Sequence, residues 1–321
     1  MKKFLVSVLA LFSLNANTAF ADDQSAEAVL LQMNQASQQL NYELSYIQVR
    51  KNGLEPLLYR HARENDKVFA HLLYLSGPVR EVIRRGSEVS YIEPGVEPFS
   101  VDSGKMVAPL IPLLNSNIQK LSHYYDFVKI GRGREAGAPC NVIRVVPKDG
   151  MRYSYVLWVD EQHYLPLRAD LVDRDGEILE QYRTISFSIS DKLAELMAGL
   201  EKVQLPDVLS IPESTISKTY WTVGWVPTGF SALELNRYRM AVTERLVESQ
   251  MYSDGLFNFS VYVSSEDNSS LRNQLIRQGR RTLHTLVKGD KEVSVIGDIP
   301  PETAKKIAQS VVFDKSKEIQ P

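Results

Sequence analysis

Residues 152–189 read RYSYVLWVDEQHYLPLRADLVDRDGEILEQYRTISFSI, and this segment carries the clearest strand pattern in the chain. Its apolar residues recur at every second position, which is typical of strands that bury one face. They form two series, Tyr153, Tyr155, Leu157 and Val159, followed by Leu165, Leu167, Ala169 and Leu171. Asp175-Gly176 then precedes a third run, and Asp-Gly readily adopts the positive φ angles of a tight hairpin turn. The segment therefore predicts consecutive antiparallel strands.

The same pattern extends towards the N-terminus, where Asn52-Gly53 and Asp149-Gly150 supply two more turn signals. The strands predicted around and between them lie at 42–50, 54–60, 69–75, 79–83, 89–92, 125–130, 141–146 and 152–159. Because sequential hairpins without interleaved helices form antiparallel sheets, we expect one large, curved antiparallel sheet.

Helical and irregular segments accompany this sheet. Residues 25–40 place apolar side chains on one face at helical spacing, and residues 192–203 predict a second helix. Between them, residues 106–114 read MVAPLIPLL, an apolar run with two prolines, which are rare in central strands. We expect this insertion to cover the concave face of the sheet as a movable flap.

A second, smaller unit follows the sheet. Residues 204–218 contain two prolines and a Ser/Thr cluster, which predicts a linker. Strands are expected at 257–263, 279–287 and 292–296, and Pro300-Pro301 opens a closing helix. The predicted divisions are a signal peptide (1–21), a sheet domain (22–203), the linker (204–218) and a C-terminal α+β domain (219–317).

The N-terminus predicts export. Lys2 and Lys3 precede an uncharged apolar stretch at 4–14, and Ala19-Phe20-Ala21 follows as a small-residue cleavage site. This order is typical of a secretory signal peptide, and eleven apolar residues are too few to cross a bilayer, which takes about 20. We therefore expect cleavage after Ala21 and a mature protein without a membrane span.

The charge balance and the cysteine content argue against some classes of binding partner and site. The signal peptide holds two of the 37 basic residues and none of the 39 acidic ones, so the mature chain is mildly acidic. Such a balance argues against nucleic acid or an anionic membrane surface as the main target. Cys140 is the single cysteine, so the chain forms no internal disulfide and no cysteine-based zinc site.

Motifs for catalysis or for metal and phosphate binding are missing. The five histidines have no metal-binding spacing, and the chain contains no G-x-S-x-G elbow and no phosphate-binding G-x-x-x-x-G-K loop. The acidic residues around Gly176 do not form a calcium loop, because Leu171 and Tyr182 would occupy ligand positions. The sequence predicts neither an enzyme nor a protein with a cofactor or a metal.

Aromatic residues suggest binding surfaces instead. Eleven of the fifteen tyrosines lie between Tyr42 and Tyr182, either because strands favour tyrosine or because they line an apolar concavity. The second interpretation predicts an acyl-binding cavity lined by Met106, Val107, Leu110, Ile111, Leu113, Leu114, Tyr153 and Tyr155. A partner surface is predicted at Trp221, Trp225, Phe230, Arg280 and Arg281, with core anchoring as the alternative for the aromatic residues and a solvated face for the arginines.

Six short motifs, in order, resemble the RseB/MucB family of periplasmic regulators. They are NYELSY at 41–46, YRHAR at 59–63, RYSY at 152–155, WVPTGF at 225–230, YSDGLF at 252–257 and PPETAK at 300–305. Each motif alone has little specificity, but together they span both predicted domains of the mature chain.

This resemblance implies a fold and a function. It implies a large N-terminal unclosed antiparallel β-barrel with helices, similar to the lipoprotein carriers LolA and LolB, and a smaller α+β C-terminal domain. Members of the family bind the periplasmic part of the anti-sigma factor RseA and shield it from the protease DegS. In the family, lipopolysaccharide or mislocalised lipoprotein is thought to weaken binding to RseA. The family has no known catalytic residues and no short signature for its binding residues.

We therefore expect a non-enzymatic periplasmic negative regulator of the sigma-E envelope-stress response that binds RseA and senses acylated ligands. The alternative is a periplasmic carrier of lipid or lipoprotein without a regulatory role, which would need only the sheet domain. An exported hydrolase is a third class, and the missing nucleophile–base pattern argues against it.

Overall fold

The computed structural model describes residues 24–111, 113–114, 116–209, 218–239, 245–266 and 274–314. The predicted signal peptide and residues 210–217 of the predicted linker lie outside them. The helices are α1 (Ala26–Gln39), α2 (Ile118–Leu121), α3 (Lys192–Ala198) and α4 (Pro301–Ser310). Strands of the first half are β1 (Tyr42–Arg50), β2 (Gly53–Glu64), β3 (Lys67–Tyr74), β4 (Glu81–Arg85), β5 (Glu88–Ile92), β6 (Phe99–Asp102), β7 (Tyr125–Glu135), β8 (Ala138–Pro147), β9 (Ser154–Asp160), β10 (Pro166–Val172) and β11 (Ile178–Ile189). Those of the second half are β12 (Trp221–Val223), β13 (Ser231–Arg239), β14 (Leu246–Ser253), β15 (Asn258–Ser265), β16 (Gln274–Gln278), β17 (Arg281–Lys288), β18 (Lys291–Gly297) and β19 (Val311–Phe313).

Strands β1 to β11 form one antiparallel sheet, which we call the N-terminal sheet. Its order is β6-β5-β4-β3-β2-β1-β11-β10-β9-β8-β7, so the described strands leave it open between β6 and β7. Consecutive strands pair with each other except β6 and β7, which form the two edges. At the centre, β1 pairs with β11, which is distant in sequence, from Tyr42↔Ile189 to Arg50↔Glu180. The large unclosed antiparallel sheet predicted from the hairpins is confirmed.

Helix α1 packs against the N-terminal sheet because it presents one apolar face. Ser25 caps it by accepting a hydrogen bond from the Ala28 amide at 3.1 Å. Val29, Leu30 and Met33 are fully buried and belong to the same core as the inward-facing residues of the sheet. The face predicted from helical spacing is therefore the buried one.

Strands β13 to β18 form a second antiparallel sheet, the C-terminal sheet, with the order β13-β14-β15-β18-β17-β16 in the described residues. Helix α4 covers it through Ala304, Ile307 and Ala308. Gly297 is needed in β18 because a Cβ atom there would lie 2.3 Å from the Cβ of Phe259. The second half is thus α+β, as expected. The boundaries predicted at 203 and 219 stay a prediction.

Several predicted elements differ in their bounds, and for two of them the structure shows how. Strand β9 begins at Ser154 and not at residue 152, because Arg152 and Tyr153 turn towards the C-terminal sheet. The helix predicted at 192–203 becomes a 3-10 helix after Ala198, over Gly199–Lys202. Within the described residues, no helix has the length and apolarity to cross a membrane.

Candidate functional site

The predicted flap, residues 106–114, packs with α1 against the N-terminal sheet, on the face predicted to be concave. Below, the name flap covers this segment together with its flanking residues, that is, the described residues between 103 and 116. Asn34 of α1 holds the end of the flap. The side-chain amide of Asn34 lies 3.3, 2.9 and 3.0 Å from the carbonyls of Leu113, Leu114 and Ser116, respectively. Leu113 has a φ of 67°, which is unfavourable for a residue with a branched side chain. The end of the flap is therefore held by hydrogen bonds from Asn34 and contains one residue with an unfavourable backbone conformation.

Two tyrosines of the sheet hold the first half of the flap. The Tyr46 hydroxyl donates to the Pro109 carbonyl at 2.7 Å, and the Tyr91 hydroxyl accepts from the Val107 amide at 2.9 Å. Both tyrosines contact the flap through single hydrogen bonds. A ligand that competes for the same concave surface would have to break them.

The predicted acyl-binding residues of the flap face three different environments. Ile111, Leu113 and Leu114 are buried in the core of the N-terminal sheet. Met106 and Leu110 line a cavity of about 250 Å³, together with Leu114, and we call this cavity the flap pocket. Val107 is 83 % exposed and lines a second cavity. The concave face is thus occupied by α1 and by the flap itself.

Part of the lining of the flap pocket is polar, and we call this part the polar wall. His61 stacks on the Tyr42 ring with centroids 5.2 Å apart, and its Nδ1 atom lies 2.9 Å from the Leu40 carbonyl. Since a carbonyl only accepts, Nδ1 carries the hydrogen. Burial lowers the pKa of His61 to about 4, helped by the charges of Arg84 and Arg63. Sequence reasoning did not identify this polar wall.

Tyr153 and Tyr155, also predicted to line the acyl cavity, lie elsewhere. The Tyr155 ring stacks on Phe257 of the C-terminal unit, with centroids 5.6 Å apart and planes 4° from parallel. The Tyr153 hydroxyl donates to the Ile299 carbonyl at 3.1 Å. Burial raises the pKa of both phenols. In this structure they pack between the two sheets.

A buried ion pair lies at the same contact, and we call it the inter-sheet ion pair. The Arg152 guanidinium donates to Asp254 at 2.9 Å, to Asp149 at 2.7 Å and to the Thr228 carbonyl at 2.8 Å. The Arg152 and Asp254 side chains are 1 % and 0 % exposed. Tyr125 donates to the same Asp254 oxygen at 2.5 Å. Burial, followed by the charge of Asp254, raises the pKa of Tyr125 well above its usual range.

The predicted aromatic partner residues fall into two groups. Trp221 is buried, and its Nε1 donates to Glu248 at 2.8 Å. Phe230 is buried against Phe259, with ring centroids 5.1 Å apart. Both therefore have places in the core. Trp225 is half-buried at the surface, with the Lys306 ammonium 3.8 Å from its ring centroid.

The predicted basic partner residues lie in the second cavity. This inter-sheet cleft, of about 740 Å³, lies between the β1–β2 hairpin and the start of β17. Arg280 connects its two sides, 3.0 Å from Glu180 of β11 and 3.4 Å from Asp298. Arg281 is exposed and lines the cleft, as does Val107 of the flap. Adjacent flap residues thus line different cavities, Met106 the pocket and Val107 the cleft.

No group of three or more His, Cys, Asp or Glu side chains with the geometry of a metal site occurs in the described ranges. Cys140 is buried, and burial raises the pKa of its thiol to about 11, which disfavours the reactive thiolate.

Comparison with known proteins gives consistent results. The protein-family model of the MucB/RseB N-terminal domain matches residues 25–209 of this chain. The protein-family model of the MucB/RseB C-terminal domain matches residues 215–312. The sigma-E factor regulatory protein RseB of Escherichia coli (strain K12) is 46% identical over 310 residues, 96% of each chain. A solved complex of Pseudomonas aeruginosa MucA/MucB has a TM-score of 0.72 at 25% identity, covering 90% of this chain and 99% of that one. A crystal structure of MucB has a TM-score of 0.57 at 25% identity, covering 89% and 97%.

Proposed function

This chain belongs to the MucB/RseB family, and we propose that it is a periplasmic negative regulator of the sigma-E response that binds the periplasmic region of the anti-sigma factor RseA. The family is regulatory and is not an enzyme family. The observation that carries the proposal is the match of both halves of the chain to a relative named as a sigma-E factor regulator. The MucB relative solved in complex with MucA supports a protein partner.

The inter-sheet cleft is our candidate for the partner site. A cavity of about 740 Å³ is open to an extended peptide segment, and it is lined by both sheets. Arg281 offers an exposed charge there, and Arg280 already bridges the two sheets. A segment bound in this cleft would contact both halves at once and become less accessible to a protease such as DegS.

Ligand sensing would act through the flap. The flap pocket holds about 250 Å³, too little for acyl chains, since pockets for drug-sized ligands take about 300–1,000 Å³. Acyl chains would therefore displace Ile111, Leu113 and Leu114 from the concave face. The apolar surface that the flap leaves would be covered by the ligand, so the hydrophobic cost of opening is offset.

The flap also contacts the C-terminal half of the chain. This contact would couple ligand binding at the flap to RseA binding in the inter-sheet cleft. The Ser116 hydroxyl donates to the Gly255 carbonyl at 3.3 Å, next to Asp254 of the inter-sheet ion pair. Val107 lines the cleft directly. Displacing the flap therefore changes one wall of the proposed partner site. Because coupling is reciprocal, bound RseA would weaken ligand binding to the same extent.

Protease protection tests the regulatory function. The purified protein is mixed with the RseA periplasmic fragment and DegS, and cleavage of the fragment is followed over time. We expect cleavage to slow in proportion to the fraction of RseA bound, and to recover when lipopolysaccharide or an acylated lipoprotein is added. Undiminished cleavage at saturating protein contradicts the regulatory function and leaves the carrier alternative, which a pull-down dominated by lipoprotein would support.

A further inference from the structure

The polar wall of the flap pocket carries positive charge, and no carboxylate is among the described residues that line the pocket. Arg63, Arg84 and Lys105 line the pocket beside His61. No acidic residue lines it in the part of the chain that the structure describes. In a mature chain whose charges are nearly balanced, such a grouping of cations around one cavity requires an explanation.

Arg84 of β4 is the central cation. It is half-buried, and its Nε donates to the Gly86 carbonyl at 2.8 Å, a neutral acceptor. The neighbouring Arg85 faces away and pairs with Glu88 at 2.8 Å. Burial lowers the pKa of Arg84, and the nearby Tyr59 hydroxyl only partly opposes this. A partly desolvated guanidinium without a carboxylate gains from an anion supplied by a ligand.

The other two cations are more exposed to solvent than Arg84. Arg63 pairs at 3.1 Å with Asp66, whose side chain is 95 % exposed, and such surface pairs contribute little. Lys105 is exposed on the flap itself. Both side chains are therefore available to a ligand.

The remaining wall is apolar. Met106, Leu110 and Leu114 line it, and they belong to the flap that acyl chains would displace. A lining that combines basic and apolar side chains suits an amphiphile with an anionic head and a hydrocarbon chain. A pocket of about 250 Å³ accommodates a head group of phosphate size, while the chain would follow the concave face.

We propose that the flap pocket binds the phosphate-bearing head group of an acylated ligand, with Arg84 as its main counter-charge and Arg63 and Lys105 as the more exposed cations. Phosphate is favoured over a carboxylate because its oxygens accept from several donors at once and its charge approaches −2. The proposal rests on the ligand-sensing part of the proposed function and names its ligand class. A neutral acylated molecule would leave Arg84 without a counter-charge.

Binding of simple amphiphiles to the full-length mature protein tests this assignment. The probes are dodecyl phosphate, dodecanoate, dodecanol and inorganic phosphate, measured by calorimetry below micelle-forming concentrations. We expect dodecyl phosphate to bind at least about 10-fold more tightly than dodecanol, the lower range for hydrogen bonds to a charged group. Arg84→Gln should remove about 10-fold of that preference. Arg144→Gln, at an exposed arginine of β8 outside the pocket lining, should leave it unchanged.

Lys105→Gln keeps the test informative if Arg84→Gln does not fold, because Lys105 is exposed. Its expected result is a smaller loss of the same preference. Equal affinity for dodecyl phosphate and dodecanol overturns the proposal, as does an unchanged preference in both variants. If dodecanoate binds as tightly as dodecyl phosphate, the assignment of a phosphate head group is wrong. If inorganic phosphate binds as tightly as dodecyl phosphate, the assignment of an amphiphilic ligand is wrong. RseA binding without ligand, measured in parallel, should be the same in all variants, so failure here is separable from failure of the regulatory function.

Discussion

Replacing Arg152 by methionine tests whether the inter-sheet ion pair holds the two halves together. The substitution keeps an apolar side chain of similar length and removes three charge-assisted hydrogen bonds, to Asp254, Asp149 and the Thr228 carbonyl. Asp254 would stay buried with only the Tyr125 hydroxyl and two backbone amides as donors. Removing one partner of a buried ion pair costs about 3–5 kcal/mol. We expect a loss of this size in the free energy of unfolding.

Urea denaturation measures this loss, followed both by circular dichroism and by tryptophan fluorescence. The two probes should coincide in the wild type and separate in Arg152→Met, because the halves no longer unfold together. Arg63→Met, which breaks the exposed pair with Asp66, should cost less than about 1 kcal/mol. The double variant with Asp254→Asn should recover part of the loss, since it removes the unpaired charge. A loss below about 1 kcal/mol for Arg152→Met would refute the reasoning.

Three further predictions concern the flap pocket and the partner surface. Burial holds the pKa of His61 at about 4, against about 6.5 when unfolded, so stability is complete above pH 6.5 and falls as pH drops towards 4. Urea unfolding at pH 7 and pH 5 should show about 2 kcal/mol of this loss in the wild type and none of it in His61→Gln; equal pH dependence in both contradicts the assignment. Asn34→Ala removes the donor to three flap carbonyls, and we expect faster amide exchange in residues 103–116 by mass spectrometry, whereas unchanged exchange would show that Asn34 is dispensable. Trp225→Ala should weaken RseA binding by about 30-fold in calorimetry if this half-buried residue is a hot spot. Trp221→Phe should lower the free energy of unfolding by about 1–3 kcal/mol and leave RseA binding intact. Weaker RseA binding in Trp221→Phe and unchanged binding in Trp225→Ala would show that Trp221, and not Trp225, contacts the partner.

Local patterns were sufficient to predict most of the sheet. Asn52-Gly53 and Asp175-Gly176 lie at hairpin turns, and the alternating residues of β9 and β10 are the buried ones. These features depend on neighbours in sequence. The pairing of β1 with β11 does not, because it joins Tyr42 to Ile189, and so only the structure reveals the centre of the sheet.

Strand β13 was not predicted, and its exposure explains why. Most of Ser231–Arg239 is exposed, so the strand has no buried apolar face to produce an alternating pattern. It is an edge strand held by backbone pairing to β14. Patterns of burial cannot identify a strand whose side chains remain in solvent.

The candidate sites were less predictable than the fold. Tyr153 and Tyr155 alternate like cavity residues, yet the second half of the chain covers them. Arg152 and Asp254 each lie in one of the six short motifs that resemble the family, but 102 positions separate them, and no local signal links them. The basic wall around Arg84 likewise combines residues from separate elements. Sites built from distant segments need the three-dimensional arrangement.

Coupling between ligand and partner is the central claim, and the affinity for RseA measures it most directly. The dissociation constant of the RseA periplasmic fragment is determined by calorimetry with and without saturating lipopolysaccharide. Displacement of the flap from the cleft wall predicts weaker RseA binding with the ligand present, by at least about 5-fold, the lower range for coupled sites. An RseA affinity that is unchanged by a ligand shown to be bound would contradict the account.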